Sequence, residues 1–102
     1  MNLLDETLQA LWENGKTDND VLYVESFPLK TDWKSFKLNA NFDYDNGYGS
    51  NKISLNLKIV GDGWWLERDE YDGSEWWEFK VHPDASTKRV AYPHEIMKMI
   101  KE

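Results

Sequence analysis

The sequence predicts an α+β fold, in which an antiparallel β-meander of three to five strands carries the N-terminal and C-terminal helices on one face. Three features predict it: an amphipathic start, strict apolar alternation from Ile53 to Ile59, and an Asp72-Gly73 turn between tryptophan-rich runs. Helices at both ends of such a sheet are most economically packed on its one apolar face. We expect a single domain over residues 1–102, because two domains would each be too small to bury a stable core.

A helix is predicted over residues 2–14. Asn2 suits the N-cap, because its side chain can accept a hydrogen bond from a free backbone N–H of the first turn, and Gly15 suits the position after the helix. Apolar residues recur at helical spacing between these ends, and the stripe that they form is expected to face the core. The stripe consists of Leu4, Leu8, Leu11 and Trp12.

The middle of the chain predicts shorter elements. The β-branched and aromatic residues of 21–27 indicate a strand that stops at Pro28. A short helix is expected to begin with Thr31 as its cap, and a further short strand is expected over 41–44. The Gly and Asn content of 45–51 is typical of a turn or loop. The short helix is expected to turn Trp33, Phe36 and Leu38 inward.

A closing helix is predicted near the end of the sequence. Pro93 suits its first position, because proline lacks the N–H that would be unpaired there. Lysines near the end of the helix suit the negative end of its dipole. The apolar residues that follow the proline at helical spacing are Ile96, Met99 and Ile100.

The turn at Asp72-Gly73 predicts a register for the last hairpin. A type I′ turn needs positive φ at both central positions, which Asp and Gly tolerate. Leu66 then faces Phe79, Arg68 faces Trp77, and Asp69 faces Trp76. A two-residue loop within 61–63 puts the preceding strand on the same core face, whereas a three-residue loop with a bulge would reverse it. The apolar residues of that strand are Ile53, Leu55, Leu57 and Ile59.

The two faces of this hairpin differ in character. Four of the six tryptophans of the chain lie in it. One face is apolar and is expected to be core, with Trp64, Leu66, Trp77, Phe79 and Val81. The other face is aromatic and acidic at once, which stability alone does not require, and we predict that it is a binding surface. We call it the outer face; its residues are Trp65, Glu67, Asp69, Tyr71, Trp76 and Glu78.

The chain is acidic, and its acidity is local. Nineteen acidic residues against 12 basic ones give a net charge of −7. Between residues 62 and 78, seven carboxylates accompany Arg68 alone. Such a patch repels phosphate backbones and anionic lipid, so direct nucleic-acid binding and membrane binding are disfavoured and a basic protein partner is favoured. The simpler interpretation is that these acids keep an aromatic-rich protein soluble.

No pattern predicts a catalytic residue, a cofactor or a bound metal. The segment 43–51 has acids spaced two apart but lacks the Gly and the bidentate Glu of an EF-hand loop, so a hairpin-like loop is favoured over a weak cation site. Whether residues 39–51 are ordered is left open. His82 and His94 lack the partners of a metal motif. Arg68 is expected to stack on Trp77 as a structural cation–π contact.

Paired carboxylates beside tryptophans also raise the possibility of a glycoside hydrolase. Glu67 and Asp69 lie on one strand beside Trp65, and aromatic platforms stack sugars. A flat sheet face, however, offers neither the concave pocket nor the desolvation that raises the pKa of a catalytic acid. Hydrolysis is therefore disfavoured, and sugar binding without catalysis stays an alternative.

Three features favour a soluble cytoplasmic protein. The chain has no cysteine, so disulfides and thiolate metal sites are excluded. Its start is acidic within six residues and lacks the basic region and apolar run of a signal peptide. No apolar stretch approaches the roughly 18 residues that span a membrane.

The segments VGDGWWLERDEYDGSEWWEFK, FDYDNGYG and LLDETLQALWENGKT resemble small proteins encoded by phages and prophages of Gram-positive bacteria. The resemblance covers most of the chain and implies a location in the host cytoplasm, but that group has no established activity or site residues. Small acidic phage proteins often occlude host proteins, some by imitating the charge of DNA, and this analogy concerns context alone.

These observations favour a non-enzymatic binding protein. The outer face is expected to engage a basic protein surface, with aromatic contact area supplying affinity and acidic groups steering encounter. Two alternatives stay open: homodimerisation through the same tryptophans, and carbohydrate binding or hydrolysis at the same face.

Overall fold

The computed structural model describes residues 1–47, 49–50, 52–83 and 88–101. The helices are α1 (Leu3–Glu13), α2 (Trp33–Asn39) and α3 (Ile96–Ile100). The strands are β1 (Val21–Ser26), β2 (Leu29–Thr31), β3 (Leu57–Gly61), β4 (Trp64–Tyr71) and β5 (Ser74–Val81). Short 3₁₀ turns at Asp18–Asp20 and Pro93–Glu95 precede β1 and α3.

The five strands form one antiparallel sheet in the order β2-β1-β3-β4-β5. The predicted α+β class with an antiparallel sheet is therefore confirmed. Strands β3, β4 and β5 form a meander, whereas β1 and β2 form a separate hairpin that joins the sheet because β1 pairs with β3. Strand β2 is an addition to the predicted elements. The two edges of the sheet are β2 and β5.

The β4–β5 hairpin has the predicted turn and register. Asp72 and Gly73 have φ of 51° and 86°, as a type I′ turn requires. Arg68 faces Trp77 across the two strands. The other predicted pairs, Leu66 with Phe79 and Asp69 with Trp76, are also present.

The loop between β3 and β4 preserves the predicted faces. Asp62 and Gly63 form a two-residue loop, so Ile59 faces Leu66 and both are fully buried. The strand predicted over 53–59 is wrong in its first half, since β3 begins at Leu57.

A local turn explains why the strand begins late. The Ser54 hydroxyl accepts a hydrogen bond from the Asn56 N–H, and the Ser54 carbonyl accepts one from the Leu57 N–H. Leu55 is consequently exposed and does not share the core face. Ile53 is buried, but a loop places it there rather than a strand.

The helix α1 packs on the core face with a stripe rotated from the predicted one. Its buried residues are Leu3, Thr7 and Leu11, whereas Leu8 and Trp12 are exposed. Thr7 can be buried because its hydroxyl donates to the Leu3 carbonyl and accepts from the Trp77 indole. The predicted cap is confirmed, since the Asn2 side chain accepts from the Asp5 N–H. The buried apolar core comprises Leu3, Leu11, Val24, Phe36, Ala40, Tyr44, Ile53, Ile59, Trp64 and Leu66.

The second helix begins one residue later than predicted. Asp32, rather than Thr31, is its N-cap, because the Asp32 carboxylate accepts from the Ser35 N–H at 2.7 Å. Phe36 is buried and Trp33 packs against the core, but Leu38 is exposed. The short strand predicted over 41–44 is wrong as well: it is reduced to a single bridge, between Asn2 and Asp43.

The C-terminal helix is present, as predicted, but it adds no residue to the buried core. Pro93 does begin a helical segment, but α3 spans only five residues and buries none of them. Such a helix makes less than two turns, too few to present a wide apolar face. The core face of the sheet near Trp77 is already covered by α1, since the Trp77 indole donates to Thr7 of that helix. In the described part of the chain, the helices are too short or too polar to cross a lipid bilayer.

Candidate functional site

The hairpin register brings all six predicted residues of the outer face to one side of β4 and β5. They lie in four rows across the two strands, and strand alternation places all of them on one face. Starting from the end far from the turn, the rows are Trp65 with Lys80, Glu67 with Glu78, Asp69 with Trp76, and Tyr71 with Ser74.

The centre of the outer face is a pair of directly opposed carboxylates. Glu67 faces Glu78, and both residues are half-buried. The Trp65 indole N–H donates to Glu67 at 2.7 Å, and the Trp76 indole N–H donates to Glu78 at 2.6 Å. Each contact joins residues two apart on one strand. The two W-x-E segments thus place an indole diagonally on either side of the carboxylate pair.

Neither carboxylate forms an ion pair within 4.0 Å in the described part of the chain. Lys58 is the register neighbour of Glu67 on β3 but makes no such contact. Like charges directly opposite each other destabilise a sheet, and the indole N–H groups offset this only in part. The pair therefore carries an uncompensated negative charge.

The outer face is less uniformly acidic than its sequence indicates. Beyond the hairpin, Glu25 on β1 faces both Lys30 on β2 and Lys58 on β3. Charges of alternating sign therefore cross the first strands of the sheet. The excess of negative charge is concentrated at Glu67 and Glu78, and at Asp69 toward the turn.

Glu75 is not part of the surface acidity. It is buried, with 3% of its surface exposed, and its carboxylate contacts Arg68 at 3.1 Å. The Lys52 and Ile53 N–H groups also donate to this carboxylate. One of the seven carboxylates between residues 62 and 78 is thus neutralised inside the protein. Strand alternation places Glu75 on the face of Arg68 and Trp77, which is the sequence signal for this pair.

Arg68 is the centre of a buried ionic cluster. Its guanidinium lies over the Trp77 ring at 4.8 Å, which confirms the predicted cation–π contact. It also forms ion pairs with Glu6 of α1 at 3.0 Å and with Glu75, which the sequence analysis missed. The Tyr44 hydroxyl accepts from the same guanidinium. The cluster therefore joins α1, the hairpin and the segment before β3.

Burial raises the pKa of Tyr44 to about 12, and its hydrogen bond to Glu6 adds to this effect. The Tyr44 hydroxyl donates to the Glu6 carboxylate while accepting from Arg68. The neutral phenol is the form that makes both contacts. Tyr44 thus has a structural part in the cluster.

The segment before β3 is tied to the turn of the hairpin. The Asn46 side chain donates to the Glu75 carbonyl and accepts from the Glu75 N–H, both at 2.8 Å. The Gly47 N–H donates to the Gly73 carbonyl. Within the described ranges, no group of three or more His, Cys, Asp or Glu side chains is arranged to hold a metal ion. Residues 48 and 51 of the predicted loop lie outside the described residues.

Two shallow grooves are lined in part by tryptophans of the β4–β5 hairpin. One, of about 270 Å³, lies beside Trp65, whose ring is 5.0 Å from that of His82. The other, of about 410 Å³, lies between α1 and β5 and is lined in part by Trp76 and Trp77. The first groove is lined by Tyr23, Glu25, Lys58, Val60, Trp65 and His82.

In comparisons with known proteins, no family model, curated protein or solved structure matches the chain. The resemblance to phage and prophage proteins therefore stays a prediction.

Proposed function

We propose that the protein is a non-enzymatic binding module whose outer face takes up a basic segment of another protein. The observation that carries the proposal is the opposed pair Glu67 and Glu78, which has no counter-ion in the described part of the chain. A lysine or arginine side chain placed over the pair relieves the repulsion between the two carboxylates and gains charge-assisted hydrogen bonds.

The tryptophans suit the same ligand. Trp65 and Trp76 are half-buried and their indoles are held by hydrogen bonds, so little conformational entropy is lost when a partner packs on them. Indole faces also attract cations, by about 0.5–1 kcal/mol at exposed sites. A basic side chain between two indoles therefore meets favourable contacts on each side.

The exposed acidic residues near the turn favour long-range electrostatic steering of a basic partner toward the outer face. Tyr71 is 77% exposed, and Asp69, Glu70 and Asp72 are exposed beside it. Unpaired surface acids of one sign raise the rate of encounter with a basic partner, and salt weakens this effect. By the same physics, the face disfavours nucleic acids and anionic membranes.

Carbohydrate binding is the second candidate, and the groove beside Trp65 favours it. The ring pair of Trp65 and His82, with Glu25 and Lys58 nearby, offers a stacking surface and hydrogen-bonding groups. Glu67 and Glu78 do not line this groove. A hydrolytic reaction would need two carboxylates inside the concave site, so we propose binding without catalysis here too.

If the resemblance to phage and prophage proteins is right, the basic partner is a protein of the bacterial host, and binding occludes its surface. This context is an analogy and names no partner. The binding chemistry of the outer face does not depend on it.

The direct test is titration with a synthetic peptide rich in Arg and Lys. Wild-type protein should bind it, whereas Glu67→Gln/Glu78→Gln should weaken binding at least tenfold, since charge-assisted contacts are worth about 1.5–3 kcal/mol each. The matched control is Glu70→Gln, which removes an exposed charge at the opposite parity of the same hairpin. Calorimetry at low and moderate salt measures all three proteins.

Equal losses in Glu70→Gln and Glu67→Gln/Glu78→Gln would indicate unspecific charge attraction and would reject the site. Neutral oligosaccharides are titrated in the same way, and their binding in place of the peptide would favour the second candidate.

A further inference from the structure

Strand β5 presents an open sheet edge. It is eight residues long and contains no proline, and β4 is its only neighbour among the described strands. The other edge strand, β2, has three residues and follows Pro28, a common way of protecting an edge. A long unprotected edge is a template for another strand, so β5 is suited to pair with a strand of another chain.

The Asn46 side chain shows which backbone groups of β5 point outward. Its hydrogen bonds with the Glu75 N–H and carbonyl place residue 75 on the open side. The His82 N–H instead donates to Gly63, beside β4, so even-numbered residues point inward. Since the direction alternates along a strand, the backbone groups of Trp77, Phe79 and Val81 also point outward.

The same amide closes one end of the edge. The Asn46 side chain hydrogen-bonds the backbone N–H and carbonyl of residue 75, as an added strand would. Another strand can therefore pair with the outward backbone groups of β5 only from Trp77 onward. In the described part of the chain, no hydrogen bond from outside the sheet reaches the backbone of Trp77, Phe79 or Val81. The free edge therefore has three outward-pointing residues, centred on Phe79.

We infer that the occupant of this edge is β5 of a second copy, which joins the two five-stranded sheets into one continuous antiparallel sheet. A two-fold axis at Phe79 pairs Phe79 with its own copy and Trp77 with the partner's Val81. All three outward-pointing residues then find outward-pointing partners, in three pairs with two backbone hydrogen bonds each. This inference does not rest on the proposed function.

Charge supports this register. With the axis at Phe79, Glu78 lies opposite the partner's Lys80, and Lys80 lies opposite the partner's Glu78. Opposite charges facing each other across strands contribute roughly 0.2–1 kcal/mol, and the two-fold axis makes the contact twice. Lys80 forms no ion pair in the described part of the chain, so it is available for this contact.

The apolar face supports it as well. Val81 lies on the core face yet is 59% exposed, because β5 is the last strand and nothing described covers it there. Phe79 and Trp77 are half-buried. Pairing with the partner's Trp77 covers Val81, and the groove of about 410 Å³ between α1 and β5 leaves room beside Trp77.

A charge exchange tests the dimer. Glu78→Lys places like charges opposite each other at both two-fold contacts, and Lys80→Glu does the same. We expect wild-type protein at about 100 µM to sediment as a dimer, each single variant to dissociate at least tenfold more readily, and the double variant to recover wild-type affinity. Circular dichroism spectra and melting curves check that every variant folds.

A backbone variant and a distance measurement test the edge itself. Val81→Pro removes an outward N–H without disturbing a bond to β4 and should abolish the dimer, whereas Val81→Thr should retain it. The chain has no cysteine, so a spin label at Ser74→Cys is unique. Two labels in the dimer should lie about 33 Å apart, from ten residues of strand rise.

A monomer at 100 µM would overturn the inference, as would a dimer that keeps its affinity in both single charge variants. A label separation far from 33 Å would show that another surface pairs. The single variant Glu67→Gln separates the two proposals, because Glu67 lies on β4, away from the edge strand: it should weaken peptide binding and leave the dimer intact.

Discussion

The buried residue Arg68 links α1 to both strands of the β4–β5 hairpin. Arg68 is buried with a cation–π contact to Trp77 and ion pairs to Glu6 and Glu75. A buried ion pair adds less to stability than its geometry suggests, because desolvation offsets the attraction. Removing one partner is costly, since it leaves the other charge buried and unpaired.

We therefore expect Arg68→Ala to lower the free energy of unfolding by about 3–5 kcal/mol. Urea unfolding followed by tryptophan fluorescence measures it. Arg89→Ala is the control, because Arg89 pairs with Glu95 at the surface, where screening by water leaves little net stabilisation. Similar small effects in both variants would show that the buried cluster is not a structural centre.

The pKa of Tyr44, raised to about 12 by burial and by its bond to Glu6, predicts a loss of stability in alkali. The unfolded chain releases the phenolic proton near pH 10, whereas the folded protein holds it until about pH 12. The stabilisation is complete below pH 10 and is lost as the pH rises through 12. Ultraviolet titration should show one tyrosine that ionises at a higher pH than the others, and this tyrosine should be absent in Tyr44→Phe. The same titration curve in both proteins would contradict the assignment.

At the scale of elements, the hairpin was predictable from the sequence because its information is local. Asp72 and Gly73 fix the turn, the turn fixes the register, and alternation then assigns each side chain to a face. The failures lie where contacts distant in sequence decide. The Ile53 N–H donates to the Glu75 carboxylate, and the Asn46 side chain accepts from the Glu75 N–H on the open edge of β5. Neither contact follows from a periodic pattern in the sequence.

The helices illustrate the same limit. In α1, the buried residues Leu3, Thr7 and Leu11 have the same helical spacing as residues of the predicted stripe. The sequence alone does not indicate that Thr7 is buried, because its hydroxyl is satisfied by the Leu3 carbonyl and by the distant Trp77 indole. For α3, apolar spacing indicates a face but not whether a surface is free to receive it. Of the candidate site, the membership of the outer face was predictable, whereas the indole–carboxylate bonds were not.

The two neighbouring tryptophans of β5 should respond differently to truncation. Trp77 packs on the core and bonds to Thr7, so Trp77→Ala should lower the free energy of unfolding by about 3 kcal/mol. Trp76 lies on the outer face, so Trp76→Ala should cost under about 1.5 kcal/mol. Denaturant unfolding compares the two variants, and equal losses would mean that the outer face is a structural surface.

At the scale of the whole molecule, the described C-terminal residues contribute little to the folded body. Residues 88–101 include no buried side chain. Removal of residues 88–102 should therefore leave the melting temperature nearly unchanged, as measured by differential scanning calorimetry. A drop of more than about 4 °C, roughly 1 kcal/mol for a domain of this size, would show that this segment packs on the sheet.

We expect a basic ligand to bind at the carboxylate pair between Trp65 and Trp76, and the indole N–H signals of these two tryptophans report on that contact. A ¹H–¹⁵N spectrum of the protein should contain one indole signal for each of the six tryptophans. Addition of the basic peptide should shift the Trp65 and Trp76 signals, since these N–H groups donate to the carboxylates that receive the cation. Shifts confined to the other four tryptophans, or no shifts at saturating peptide, would show that the ligand does not bind at the carboxylate pair.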